Sequence, residues 1–98
     1  MTRAALATAA IALVALWGCK PKVTRAQCDE LRDRYASLVV SAKMKDAPPA
    51  AVAAEQRREA EEARSDDDFK NCTTELSVED YQCAMRAPSA DALEKCLE

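Results

Sequence analysis

Apolar residues recur at helical spacing along the chain from about residue 25 onward, and no alternating strand pattern competes. Cys28, Leu31, Tyr35, Leu38, Val39 and Ala42 share one face, and Thr24-Arg25-Ala26-Gln27 has the spacing of a capping box, which predicts a first helix from about Arg25 to Lys45. Asp46-Ala47-Pro48-Pro49 breaks it, because each proline lacks an N–H and restricts the residue before it, while Pro49 suits the first turn of the next helix. A connection this short makes the neighbours antiparallel. The second helix is predicted from Ala50 to about Thr74, rich in strong helix formers but with a thin apolar stripe of Ala53, Ala60, Ala63 and Phe69. Glu55, Arg58, Glu59, Glu62 and Arg64 cover its remaining surface with solvated charge pairs. Two short helices follow: Val78 to Arg86, opened by Ser77 with an acidic first turn, and Ala90 to Leu97 beyond the Ala87-Pro88-Ser89 break. The expected fold is all-α: a small disulfide-stapled bundle of two longer antiparallel helices and a short C-terminal helical hairpin.

The stretch before these helices follows a different logic. Met1, Thr2 and Arg3 form a positive start, Ala4 to Ala15 an apolar run, and Leu16-Trp17-Gly18-Cys19 its end. The uncharged run is shorter than the about 20 apolar residues a membrane-spanning helix needs, and an A-x-A-like secretory cleavage pattern falls only inside the apolar run. Leu16, Gly18 and Cys19 match the lipobox, and the segment resembles the signal peptide of bacterial lipoproteins, with Trp17 departing from the small residue usual there. The resemblance implies cleavage after Gly18 and lipidation of Cys19, including palmitate-type acylation. The expected organisation is a signal over 1–18, a lipid-anchored linker over 19–24 and a helical disulfide-bridged domain over 25–98. Lys20, not Asp, follows Cys19, which under the best-known sorting rule prefers the outer membrane over the inner.

Removing the first 18 residues leaves 13 Lys+Arg (14 less Arg3) against 17 Asp+Glu, a net charge of −4. That balance argues against nucleic-acid binding, which needs a basic face. Lys20, Lys22 and Arg25 form the one evident positive cluster, suited to anionic head groups beside a lipid anchor. The single glycine, Gly18, belongs to the signal, so Gly-rich phosphate loops and tight hairpin turns have no support.

Four further cysteines, Cys28, Cys72, Cys83 and Cys96, are separated by 43, 10 and 12 residues. In an exported chain an even set with such spacing reads as a disulfide framework, whereas zinc sites carry their ligands in close pairs. The core candidates are few: Val23, Leu31, Tyr35, Leu38, Val39, Val40, Met44, Val52, Phe69, Leu76, Val78, Tyr81, Met85, Leu93 and Leu97. So small a core supplies about 3–5 kcal/mol, and bridges supplement it. Of the three possible connectivities, levelling the helices by equal rise places Cys72 about 9 Å beyond the level of Cys28 and nearly flush with Cys96. This favours Cys28–Cys83 with Cys72–Cys96, against the sequential and nested alternatives. The segment from Cys72 through Cys83-Ala84-Met85-Arg86-Ala87 to Leu93-Glu94-Lys95-Cys96 resembles the tail of small, uncharacterised cysteine-bridged lipoproteins, a resemblance that implies no particular activity.

The chain has no histidine, and it offers neither a Gly-flanked serine nor a close carboxylate pair on an apolar surface, so it presents no catalytic residues and calls for no cofactor. Ser65-Asp66-Asp67-Asp68 either caps a helix restart or holds a cation; calcium loops alternate their carboxylates and turn at glycine, which disfavours the latter. Tyr35 and Tyr81 sit on apolar helix faces and read as core before interface. The expected role is a non-enzymatic interaction or accessory protein of the cell envelope, held to the membrane through Cys19, with an envelope protein as partner. The alternative is a small helical carrier of a hydrophobic ligand, for which the core residues leave little spare volume.

Overall fold

The computed structural model describes residues 20–98; the expected signal over 1–18 and Cys19 lie outside the described residues. Among the described residues five helices follow one another: α1 Arg25–Lys43, α2 Pro49–Ala63, α3 Cys72–Glu75, α4 Val78–Met85 and α5 Ala90–Leu97. Helix α1 starts where the sequence places it. Gln27 N–H donates to Thr24 Oγ1 at 3.1 Å while Thr24 N–H donates to Gln27 Oε1 at 2.9 Å, the reciprocal capping box. Pro49 occupies the first turn of α2, where its missing N–H costs nothing. Ser77 and Ser89 cap α4 and α5, each hydroxyl accepting from the amide three residues on, at 3.1 Å in both cases.

The second helix is shorter than its composition suggests. It ends at Ala63, and residues 64–71 form successive turns before α3 opens at Cys72. Arg64, Ser65 and Asp66 donate to the carbonyls three residues back, which tightens the last turn. The Ser65 hydroxyl donates to Glu62 O at 3.3 Å, and Asp66 Oδ1 accepts from Asp68 N at 3.3 Å. Serine and aspartate offer the backbone such local partners, and three carboxylates crowd the negative end of the helix dipole, so the helix stops here. No residue takes a positive φ among those described, so the reversal needs no glycine.

Helix α1 is the hub: α2, α3, α4 and α5 all pack on it, and α4 packs on α5 as a hairpin, whereas among the described residues α2 lies against α1 and no other helix. The main core joins Val23, Leu31, Phe69, Leu76 and Leu93 with the buried alanines Ala63, Ala84 and Ala87 and the Cys28–Cys72 bridge. Tyr35, Leu38, Val78, Tyr81, Met85 and Leu97 pack around it, partly buried. Ala36 and Val40, further along α1, are buried outside this cluster. Helix α2 contributes a single buried residue, Ala63 at its last position; Ala53 is exposed and Ala60 half-buried.

The four cysteines among the described residues are all joined, but the pairing is sequential: Cys28–Cys72, with Cα atoms 6.1 Å apart, and Cys83–Cys96, 5.8 Å apart. This corrects the interleaved expectation of Cys28–Cys83 with Cys72–Cys96. Interleaved pairing requires α2 to run straight to about Thr74, each residue advancing about 1.5 Å. Since the helix stops at Ala63 and residues 64–71 turn in place, Cys72 never overshoots Cys28. Cys83 and Cys96 then meet across the α4–α5 hairpin.

Candidate functional site

Residues 21–23, which the sequence suggested as linker, are built into the domain. Val23 N–H donates to Leu76 O and Val78 N–H donates to Pro21 O, both at 3.1 Å, so that Lys22 and Ser77 form an antiparallel bridge. Val23 is 4% exposed and belongs to the main core. The amide bonds hold the strand-like pair, and the buried valine fixes its direction. Lys20 lies outside it, its ammonium 3.7 Å from Glu79 in a pair exposed on both sides and therefore worth little. The sequence carried one hint of this clamp, a lone large apolar residue at Val23 in an otherwise polar stretch.

The two tyrosines pack as expected on the core. Tyr35 meets Phe69 with ring centroids 5.1 Å apart and planes tilted by 51°, a favourable aromatic arrangement. Burial and the nearby Glu94 carboxylate push its phenol up to about 12. Tyr81 Oη donates to Glu30 Oε2 at 2.6 Å, joining α4 to α1, and this bond raises the Tyr81 pKa because ionisation would break it. Neither tyrosine is poised for proton transfer near neutrality, since both are shifted away from it.

The charges expected on α2 form pairs. Arg58 bonds Glu55 and reaches Glu62 at 2.5 Å, and Lys43 of α1 meets Glu59 at 2.6 Å. Glu55 is held below its ordinary value by its hydrogen bond with Arg58, and the arginine is shifted upward in turn. In the turn after α2, Lys70 bonds Asp67 at 2.9 Å and lowers its pKa, whereas Asp68 is raised by partial burial and by the negative Asp66 and Asp67. These displacements have ordinary ion-pair and burial causes. Among the described residues no three His, Cys, Asp or Glu side chains are grouped so as to hold a metal ion. An apolar cleft of about 520 Å³ is a surface groove between Leu38, Val39 and Ala42 of α1 and Pro88 and Ala90 at the start of α5.

Among the described residues no helix is long and apolar enough to cross a membrane. Comparison with protein families, with curated proteins and with solved structures finds no match to the chain.

Proposed function

We propose that this chain is a lipid-anchored protein of the cell envelope, tethered through Cys19, whose helical domain works by binding a partner and not by catalysis. The observation that carries the reading is the clamp at residues 21–23. With Pro21 and Val23 bonded to α4 and its approach, Lys20 alone separates Cys19 from the folded domain. A lipid on Cys19 would hold the domain against the bilayer surface instead of letting it range on a long tether. Lys20, Lys22 and Arg25 lie at that end, where each cation contributes about 1 kcal/mol near an anionic surface. An envelope location follows, with the outer membrane preferred because Lys20 follows Cys19.

The interaction role rests on the disulfide framework and on the α1–α2 surface, which is charged and unencumbered along most of α2. The carrier alternative draws on the Leu38–Val39 groove, but an apolar ligand needs most of its surface covered. An open surface groove between α1 and the start of α5 does not supply that cover.

Mass spectrometry of membrane-extracted protein tests the anchor. The expected result is a diacylglyceryl mass on an N-terminal Cys19. An unmodified Cys19, or mature protein retaining residues 1–18, overturns it. Pull-down from envelope extract, paired with native mass spectrometry for bound lipid, separates the interaction role from the carrier role.

A further inference from the structure

We propose that the cleft between the start of α1 and the turn leading from α2 into α3 is a binding site for a phosphate group, carried by a membrane headgroup or by a free phosphate compound. The cleft measures about 320 Å³, and Arg25, Arg32, Arg64 and Lys70 line it against a single carboxylate, Asp29. The chain as a whole carries a net charge of −3, so this local excess of three positive charges runs against its composition. The floor is Phe69 and the Cys28–Cys72 bridge, which fix the backbone on both sides; Thr73 adds a hydroxyl.

Arg32 supplies the second observation. Its side chain is only 13% exposed, its Nη2 bonds Asp29 at 2.7 Å, and its Nε–H is buried with no acceptor among the described residues. The Asp29 bond and this burial hold the guanidinium in place, so its positive charge is fixed at the wall of the cleft. The other three cations are available. Arg25 makes no ion pair among the described residues. Arg64 and Lys70 hold only the exposed carboxylates of Glu61, at 3.5 Å, and Asp67, at 2.9 Å. Such exposed pairs exchange at little cost.

Phosphate fits this set better than a single carboxylate. Three guanidinium forks and an ammonium present more donors than two carboxylate oxygens accept, and arginine forks match phosphate oxygens two at a time. Placement favours the headgroup source. Arg25 lies two positions after Val23, the last of the clamped residues 21–23, and Thr73 precedes Leu76, their hydrogen-bond partner, by three positions. That source rests on the anchor proposed above; phosphate recognition itself does not.

The test uses the full chain with its bridges intact, in an uncharged detergent for the first arm and on vesicles for the second. Inorganic phosphate is titrated at constant ionic strength against chloride, following the Arg32 Nε–H resonance by NMR. Vesicles of phosphatidylcholine with one-quarter phosphatidylglycerol are compared with phosphatidylcholine alone. R25Q/R64Q removes two exposed cations of the cleft, R25Q/K70Q serves if the first variant melts early, and K45Q/R57Q is the charge-matched control elsewhere on the surface. The expected result is saturable phosphate binding, weakened at least tenfold in the cleft variant and less than twofold in the control. Loss in the same variant of the extra binding that phosphatidylglycerol gives over phosphatidylcholine alone identifies a headgroup as the source, and an unchanged gain identifies a free phosphate compound. A response to phosphate no larger than to chloride, with vesicle binding equal in cleft and control variants, overturns the proposal. Absence of lipid on Cys19 leaves the phosphate titration unchanged, so the two readings fail separately.

Discussion

Val23 N–H donates to the carbonyl of Leu76 at 3.1 Å, and Val23 itself is buried beside Leu76 in the main core. The contact closes the domain at its N-terminal edge and leaves no flexible spacer between position 20 and α1. Replacing Val23 by alanine removes two buried methyl groups, and the expected cost is about 1–2 kcal/mol. Tryptic cleavage after Lys22 should accelerate in parallel, because the bridge to Ser77 must open for a protease to take residues 20–24 into its site. Equal cleavage rates in the two proteins would show that the segment is not clamped in solution.

The two bridges differ in exposure, and this orders their chemistry. Cys28 and Cys72 are both buried, whereas Cys83 is exposed and Cys96 half-buried. A mild reductant should open Cys83–Cys96 first, detectable by alkylation and peptide mapping. The stability effects should run the other way. Closing a chain separation of 44 residues is worth about 4 kcal/mol in the chain-entropy account, and one of 13 about 3 kcal/mol. C28A/C72A should therefore lower the melting temperature more than C83A/C96A, and full reduction should lower it by roughly ten degrees or more. Non-reducing peptide maps with a Cys28-to-Cys83 pair would contradict the connectivity itself.

What could be read from the sequence divides along physical lines. Helix starts were legible because capping is local: Thr24 with Gln27, Ser77 before Asp80, and Pro49 in a first turn each carry their signal within four residues. The end of α2 is less legible, since Ala, Glu and Arg favour helix up to Arg64 and only the cost of Ser65-Asp66-Asp67-Asp68 at a helix C-terminus opposes them. That one misplaced end carried the cysteine pairing with it. The core was half legible. Leu31, Val40, Phe69 and Leu93 are large and buried, but Ala36, Ala63, Ala84 and Ala87 are buried too, and nothing in their type separates them from exposed Ala51, Ala53 and Ala54. The cationic cleft was illegible because Arg64 and Lys70 reach Arg25 and Arg32 only through the fold.

Helix α2 should be the first helix to open. It packs on α1 alone, buries only Ala63, and is tied further along by the Lys43–Glu59 pair, whose lysine is half exposed. Local opening free energies follow buried contacts, so amides of residues 52–60 should exchange at least tenfold faster than those of residues 28–35 in α1. Replacing Glu59 by glutamine should speed exchange in α2 and leave α4 and α5 unchanged. Uniform protection across α1 and α2 would mean that the hairpin opens as one unit.

The alkaline limb of stability should belong largely to Tyr35. Its phenol is raised from the ordinary 10.0 to about 12 by burial and by Glu94, with smaller contributions from Asp66 and Glu59. Because the folded pKa lies above the unfolded one, the folded chain keeps this proton where the unfolded chain has begun to lose it. The contribution is complete below about pH 10 and disappears as the pH rises through 12, so stability falls across that interval. Tyr81 titrates in the same direction through Glu30, which makes the wild-type slope alone ambiguous. The comparison with Tyr35→Phe removes the ambiguity: the ring still packs on Phe69, the hydroxyl is gone, and the Tyr81 term is common to both proteins. Urea unfolding at pH 9, 10, 11 and 12 should show the wild type losing stability more steeply than the variant, with the difference accumulating between 10 and 12. Parallel curves would place the Tyr35 hydroxyl in water in the folded state, away from Glu94 of α5.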